Sequence, residues 1–271
     1  DIERADRGAA SHLGHVEQLG PAPHVLAIHG AVAVVVDAVV AALRIGLAAP
    51  AEAVVVVAVR QPVAVVVDLR TESERTSQPD QLPPDIKLVD LDVLADNTLA
   101  AAANIGQLVK DPESIIGILD SGQAETLMAE TYRSLVTLPS ALSAYRSFFE
   151  VLADPERSGA ALFHCTTGKD RTGWAAASLL LLLGADEQTA FDDYMETNTD
   201  LLPALQPLFD MASKNGIDPD MLEPVLGVRE SYLNAALDEV ASKYGTMEGY
   251  FTTALKLSDS TLDALRTRFV A

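Results

Sequence analysis

The chain has little of two things that often reveal a function. It contains one cysteine in 271 residues, which excludes a disulfide framework and any zinc or iron–sulfur site that needs several thiolates. Basic residues are also scarce, because 19 Lys and Arg stand against 39 Asp and Glu, for a formal net charge of -20. Such an acidic surface repels nucleic acid and anionic membranes, so we expect no nucleic-acid partner. An anionic substrate is still allowed, because one loop can hold a local positive field.

A long hydrophobic run is missing as well. The most apolar stretch, residues 31–67, is interrupted by charged residues and prolines, and no unbroken run approaches the roughly 18 residues of a membrane span. Residues 1–8 carry charges of both signs and lack the apolar segment of a secretory signal behind them. We therefore expect no membrane span and a cytoplasmic location, with export by another route left open.

What is present suits a large folded core. The hydrophobic fraction is 49% and the charged fraction 21%, which excludes wholesale disorder. The length fits one large α/β domain or two small ones, and no repeat or linker divides it, so we expect a single domain over residues 1–271. Alanine and valine dominate residues 31–67. This composition predicts buried strands at 32–36, 54–59 and 63–67, with a helix at 38–47.

The rest of the chain has more varied patterns. Asp68 and Arg70 follow the strand at 63–67 and are expected to form a salt bridge, and further strands are predicted at 86–91 and 160–163. Asp186 is expected to cap a helix. These elements predict an α/β fold, a single domain with a central, mostly parallel sheet flanked by helices and with a helical C-terminal half. Helices are predicted from Asp120 or Ser121 through 132, and at 141–152, 172–183, 201–214, 230–243, 246–256 and 258–269.

The residues that indicate chemistry lie together at 163–173, in the run Phe-His-Cys-Thr-Thr-Gly-Lys-Asp-Arg-Thr-Gly. The run predicts a strand that delivers Cys165 to its carboxyl end, a short polar loop, and an apolar helix that begins at Arg171. Ligands bind at this edge of open α/β sheets, where loop amides and a helix N-terminus form an anion site. The same surroundings favour the thiolate form of Cys165. Arg171, six residues further on, is suited to gripping two phosphate oxygens.

Four neighbouring residues are expected to support this loop. Gly168 permits a backbone bend close to a bound anion, and Gly173 allows the helix to pack tightly on its strand. Thr172 is expected to place a hydroxyl near the sulfur. His164 is expected to hydrogen-bond to the loop rather than to carry protons.

The segment from His164 to Gly173 resembles the signature of the protein tyrosine phosphatase superfamily, histidine-cysteine, five residues, then arginine-serine/threonine-glycine. Its interior, Gly168-Lys169-Asp170-Arg171, is similar to a bacterial branch of atypical tyrosine and lipid phosphatases, which shares the aspartate-arginine pair with myotubularin-like phosphatases. Residues 68–71, 128–145, 227–233 and 244–250 resemble the same branch, so the resemblance runs from about residue 63 to the end. The asparagine-phenylalanine-arginine-aspartate motif that opens the family has no match, and we predict no site residue within residues 1–62.

The resemblance implies a dual-specificity-phosphatase-like fold and hydrolysis through a cysteinyl-phosphate. Cys165 would be the nucleophile, while Arg171 and the loop amides would stabilise the phosphoryl oxygens. No metal and no cofactor is expected. The implied phosphate-binding residues are Thr166, Thr167, Gly168, Lys169, Asp170 and Arg171, with His164, Thr172 and Gly173 in support.

The general acid has two candidate positions. In the resembling branch it is the loop aspartate, which corresponds to Asp170. Classical tyrosine phosphatases use an aspartate on a separate loop, and that loop would hold Asp90, Asp92 or Asp96. Lys169 is either a substrate contact that favours phosphoinositides or a solvated charge. The helical stretch near 200–224 is either core or, as in the resembling branch, a lid.

The expected substrates are phosphorylated proteins, with phosphotyrosine first and phosphoserine, phosphothreonine or phosphoinositides in addition, and inorganic phosphate is the expected product. Two other classes of function stay open. One is cysteine chemistry on a different oxyanion, although arsenate reductases recruit further cysteines and rhodanese loops are one residue shorter. The other is a pseudophosphatase or adaptor that binds phosphate without turnover.

Overall fold

The computed structural model describes residues 26–27, 33–36, 54–55, 63–96, 123–214 and 216–270. The helix expected at 38–47 lies outside the described residues, and so do the expected capping residues Asp120 and Ser121. Of the strand expected at 54–59, the described part is Val54–Val55.

Six strands are described: β1 (Leu26–Ala27), β2 (Ala33–Val36), β3 (Val54–Val55), β4 (Val63–Asp68), β5 (Lys87–Asp90) and β6 (Ala160–His164). Four of them form a sheet in the order β2-β6-β4-β5, and β1 pairs with β3 separately. In the larger sheet β4 is parallel to both of its neighbours, whereas β2 runs antiparallel to β6. The expected mostly parallel sheet is confirmed, with one antiparallel strand at the end of the order.

The two central strands bring polar residues to one edge of the sheet. Their sequences are nearly continuous apolar runs, typical of strands that are covered on both faces. Val67 and Phe163 belong to the main core, and Val66 and Leu162, on the opposite face, are also fully buried. Asp68 pairs in register with His164 where the strands end. Polar chemistry therefore begins at the carboxyl edge of the parallel strands.

Helices make up most of the remaining described chain, as expected for the C-terminal half. In the described part of the chain, no helix is both long enough and apolar enough to cross a membrane. The helices are α1 (Glu72–Ser77), α2 (Ala124–Thr137), α3 (Pro139–Ala153), α4 (Arg171–Leu182), α5 (Glu187–Ala204), α6 (Gln206–Lys214), α7 (Glu223–Leu226), α8 (Glu230–Tyr244), α9 (Met247–Gly249) and α10 (Asp259–Phe269), with a 3-10 turn at Pro219–Met221 and a π-helical turn at Tyr250–Ala254.

Three predicted helices need correction. The helix predicted at 201–214 is the end of α5 plus α6, with a break at Leu205. Pro207 explains the break, because it has no amide hydrogen and its ring would meet the carbonyl of Pro203 in a continuous helix. Helix α2 begins at Ala124, after the predicted start, with Gln123 as its N-cap. The helix predicted at 246–256 is the short α9 followed by the π-helical turn.

Capping residues explain where several helices begin. Asp186 caps α5 by accepting a hydrogen bond from the Thr189 amide at 2.8 Å, as predicted. Helix α1 was not predicted. It begins with a capping box in which Thr71 and Glu74 each accept a hydrogen bond from the other's backbone amide.

The stretch from α6 to α7 forms a small core of its own. Ala212, Leu222, Val225 and Leu226 pack together with Ala124 at the start of α2. This cluster agrees with the interpretation of residues 200–224 as core. The alternative interpretation as a lid stays a prediction.

Candidate active site

Cys165 follows β6 directly and lies at the base of the loop formed by residues 165–170, which we call the cysteine loop. Its residue exposure is 1%. The Gly168 amide donates a hydrogen bond to the Cys165 sulfur over 3.3 Å. Gly168 has φ 77°, a left-handed conformation that glycine adopts without the steric cost of a Cβ. The predicted bend at Gly168 is confirmed, and it turns a backbone N–H toward the sulfur.

Arg171 is the first residue of α4 and lies buried behind the cysteine loop. Its Nη1 and Nη2 atoms donate to Glu74 Oε2 and Oε1 at 2.7 Å and 2.8 Å. The same two nitrogens approach the Leu69 carbonyl and the Thr166 hydroxyl at 3.4 Å and 3.3 Å. Within the described part of the chain, the buried Nε has no hydrogen-bond partner. Nε is therefore the guanidinium donor left for a bound anion.

Glu74 is a site residue that the sequence analysis missed. Burial by itself would raise the pKa of Glu74, but the hydrogen bonds and charge of Arg171, with hydrogen bonds from Thr166 and the Thr71 amide, lower it to about 2. Burial would lower the pKa of Arg171, and the hydrogen bond and charge of Glu74 raise it instead. The sequence did hold a signal, because Thr71-x-x-Glu74 is a capping-box spacing directly after a strand.

Asp170 is the last residue of the cysteine loop; it is buried and is held by two donors. Its Oδ1 atom accepts a hydrogen bond from Lys169 Nζ at 2.9 Å and one from the Tyr132 hydroxyl at 3.0 Å. Lys169 is fully buried, so the interpretation of Lys169 as a solvated charge is wrong. The Asp170 side chain makes no capping hydrogen bond to α4. Its carboxylate is thus positioned by side chains rather than by the helix end.

His164 is fully buried at the end of β6 and contacts the loop, as predicted. Its Nδ1 atom lies 3.2 Å from the Cys165 carbonyl, and its Nε2 atom lies 3.0 Å from Asp80 Oδ2. Asp80 also accepts a hydrogen bond from Arg70, which forms the predicted salt bridge with Asp68. Burial opposes ionisation of Asp80, but His164 and Arg70 outweigh it and lower the pKa of Asp80.

Asp68, Asp80 and His164 have the spacing of metal ligands, because one ligand atom of each lies within 4.8 Å of the other two. The Arg70 guanidinium donates to both carboxylates. A positive charge of the protein itself therefore occupies this position. The pairing of His164 with Asp80 joins the cysteine loop to the segment that follows α1.

Two supporting residues differ from their predicted roles. Thr172 Oγ1 is buried without a hydrogen-bond partner among the described residues, and the hydrogen bond to the sulfur comes from Gly168 instead. Gly173 does allow close packing, but its neighbour is not the strand. A Cβ at Gly173 would lie 3.1 Å from the ring of Tyr194 on α5, because this side of α4 faces α5.

The three alternative aspartates have other partners. Asp90, whose side chain is half exposed, lies 3.8 Å from Arg75 in an ion pair. Asp92 accepts hydrogen bonds from two nearby backbone amides, and Asp96 accepts one from the Ser140 amide at 2.6 Å. Asp170 lies within the cysteine loop itself, whereas these three aspartates make structural contacts elsewhere.

A strand, a cysteine loop and a helix that starts at a buried arginine define the phosphatase class of α/β proteins. The chain belongs to the tyrosine phosphatase family, whose family model matches residues 46–271. The match begins before residue 63, so the resemblance extends further toward the N-terminus than expected.

Two curated relatives agree with this membership. The chain is 28% identical over 227 residues to the triple specificity protein phosphatase PtpB of Mycobacterium tuberculosis, covering 74% of this chain and 80% of that protein. It is 36% identical over 96 residues to a putative tyrosine-protein phosphatase of Cupriavidus necator. The second match spans 35% of each chain, about a third of that relative's length.

Proposed function

We propose that this protein is a phosphatase that hydrolyses phosphotyrosine through a cysteinyl-phosphate on Cys165. The observation that carries the proposal is the buried loop with the Cys165 sulfur at one end and the Arg171 guanidinium at the other. The Gly168 amide already donates to the sulfur, and Arg171 Nε is a buried donor without a partner among the described residues. The first amides of α4 also lack intrahelical acceptors. Together these donors suit the oxygens of a phosphoryl group.

The first step forms the bond between the Cys165 sulfur and phosphorus while the bond from phosphorus to the phenolic oxygen breaks. Asp170 donates its proton to that leaving oxygen. Arg171 and the loop amides stabilise the equatorial oxygens, where most of the transition-state charge lies. In the second step water attacks phosphorus and gives a proton to Asp170, and the sulfur leaves as the thiolate. Inorganic phosphate is the product.

Asp170 is the better candidate for the acid because of its position. It is buried within the cysteine loop, whereas Asp90, Asp92 and Asp96 bind groups outside that loop. Protonation of the leaving group by a side chain accelerates such reactions by about a hundredfold or more. The acid matters most for poor leaving groups, which cannot depart as anions.

We propose further that the substrate range includes phosphoserine, phosphothreonine and phosphoinositides. The support is the name of the relative from Mycobacterium tuberculosis, which describes three specificities. Lys169 would reach a lipid headgroup only by leaving Asp170, since its Nζ is buried in that contact. A cytoplasmic location and a single domain over residues 1–271 stay predictions.

The test is hydrolysis of p-nitrophenyl phosphate in the presence of a chelator, followed by a panel of phosphotyrosine peptide, phosphoserine peptide and phosphatidylinositol phosphates. We expect turnover by the wild type and none by Cys165→Ser. Wild-type activity in Cys165→Ser would contradict the cysteine mechanism. A folded wild type that binds phosphate without turnover would favour the pseudophosphatase.

A further inference from the structure

Asp170 lies at the end of a chain of buried hydroxyl groups that starts on another helix. The Tyr194 hydroxyl of α5 donates to the Tyr132 hydroxyl of α2 at 2.6 Å. The Tyr132 hydroxyl donates to Asp170 Oδ1 at 3.0 Å. All three residues are at most 2% exposed. The Tyr132 hydroxyl has one proton, which points to Asp170 at 3.0 Å and to the more distant Lys169 carbonyl at 3.4 Å. Toward Tyr194 it can therefore only accept, and this sets the direction of that hydrogen bond.

Gly173, the last residue of the signature segment, leaves room for the Tyr194 ring that carries the first of these hydroxyl groups. A Cβ at Gly173 would lie 3.1 Å and 3.2 Å from two ring carbons of Tyr194, which is closer than a side chain normally packs. The Tyr194 ring also packs edge-on against the Tyr132 ring, with centroids 6.0 Å apart. A larger residue at position 173 would push the Tyr194 ring away. The Tyr194 hydroxyl would then lie farther from the Tyr132 hydroxyl, and the hydrogen bond between them would weaken.

The two oxygens of Asp170 are in different surroundings. Oδ1 accepts from Tyr132 and from Lys169 Nζ, while the part of the chain that the structure describes offers no donor to Oδ2. A proton on Asp170 therefore sits on Oδ2, because Oδ1 faces two groups that donate. Burial is the main reason that the pKa of Tyr132 lies well above its ordinary value, and the nearby Asp170 raises it further. The Tyr132 hydroxyl thus stays a donor throughout the working range of the enzyme.

We propose that Gly173, Tyr194 and Tyr132 form a positioning chain that holds Asp170 by Oδ1 and presents the proton on Oδ2 to the leaving group. The inference rests on the proposed function, in which Asp170 is the general acid. As the phosphorus–oxygen bond breaks, the Oδ2 proton passes to the leaving oxygen. The carboxylate that remains keeps its two donors at Oδ1, which stabilise the new negative charge.

The test compares Tyr132→Phe with Tyr232→Phe on a good and a poor leaving group, p-nitrophenyl phosphate and an alkyl phosphate. Tyr232 is a matched control, because its ring packs 5.8 Å from that of Tyr132 while its hydroxyl binds the Pro224 carbonyl. We expect Tyr132→Phe to lower kcat on the alkyl phosphate about tenfold, the value of one charge-assisted hydrogen bond. On p-nitrophenyl phosphate we expect less than about a twofold change, and Tyr232→Phe should change neither.

Asp170→Asn separates failure of this inference from failure of the proposed function. If Asp170→Asn is selectively slow on the alkyl phosphate while Tyr132→Phe matches Tyr232→Phe, the positioning chain is wrong and the acid assignment stands. If Asp170→Asn slows both substrates equally, the acid assignment is wrong and the inference falls with it.

Tyr194→Phe provides a second variant at the far end of the chain, should Tyr132→Phe fold poorly. We expect the same selective loss on the alkyl phosphate, and we expect Gly173→Ala to reproduce it. Because the residues act in one chain, the double variant Gly173→Ala with Tyr194→Phe should lose little more than either single variant. Fully additive losses, or losses equal on both substrates, would overturn the proposal.

Discussion

Glu74 binds Arg171 through both carboxylate oxygens, at 2.7 Å to Nη1 and 2.8 Å to Nη2. The Arg171 side chain is 2% exposed and that of Glu74 is 15% exposed. A bidentate pair fixes the plane of the guanidinium as well as its position. In this orientation the two Nη atoms are occupied, and Nε has no hydrogen-bond partner among the described residues. The capping box of α1 thus helps to aim an arginine that lies at the start of α4.

Replacing Glu74 by glutamine tests this role. The amide NH₂ of Gln would face guanidinium N–H groups, so one of the two hydrogen bonds becomes a repulsion and Arg171 shifts. We expect kcat/KM on p-nitrophenyl phosphate to fall about a hundredfold, because misplacement of a catalytic group by about 1 Å has effects of that size. The control is Glu72→Gln on the exposed side of the same helix, which should keep wild-type kinetics. Equal kinetics of the two variants would show that the ion pair does not position Arg171.

The same ion pair predicts how stability depends on acidity. Glu74 has a pKa of about 2 in the folded protein, against 4.5 for an ordinary glutamate. Its ionised form therefore stabilises the fold fully above pH 4.5, and this contribution is lost as the pH falls from 4.5 toward 2. The expected loss is on the order of 3 kcal/mol. Denaturant unfolding between pH 6 and pH 2 should show a steeper fall for the wild type than for Glu74→Gln, and parallel curves would contradict the assignment.

Local sequence patterns were sufficient to predict the parts of the site that are continuous in sequence. The apolar run of β6, the polar cysteine loop and the glycine at 168 follow one another, so their order alone predicts the unit. Glu74 and Asp80 lie 97 and 84 residues from the side chains they bind. Their pairing depends on β4 and β6 being neighbours with Asp68 opposite His164, which no local pattern contains.

The contacts between helices could not be predicted from local sequence patterns either. The sequence indicated that position 173 needs a small residue, but not that the close neighbour is the Tyr194 ring. It likewise gave no sign that Tyr132 would reach Asp170 from another helix. Such contacts depend on the crossing of α2, α4 and α5, and this is set by the whole core.

Asp80→Asn tests the link between His164 and the segment after α1. Asp80 accepts a hydrogen bond from Arg70 at 2.7 Å and is bonded to His164 at 3.0 Å, and its side chain is 1% exposed. Removing this charge leaves Arg70 with one carboxylate instead of two, and we expect a loss of about 3 kcal/mol in the free energy of unfolding. Asp85→Asn, in the same loop but exposed, is the control and should be neutral. A loss of similar size in both variants would mean that the buried network is not the cause.

Gly168→Ala isolates the backbone conformation that turns an amide toward Cys165. An alanine at φ 77° carries a steric cost of about 1–2 kcal/mol, and relief of that strain would rotate the N–H away from the sulfur. Gly245 has nearly the same φ of 79°, and a Cβ there would meet nothing within 4 Å. It follows the end of α8, so Gly245→Ala carries the same local cost outside the cysteine loop. In denaturant unfolding the two variants should lose similar stability, whereas kcat/KM should fall by at least about tenfold in Gly168→Ala alone. If both variants kept wild-type kinetics, the hydrogen bond from Gly168 to the sulfur would have no part in turnover.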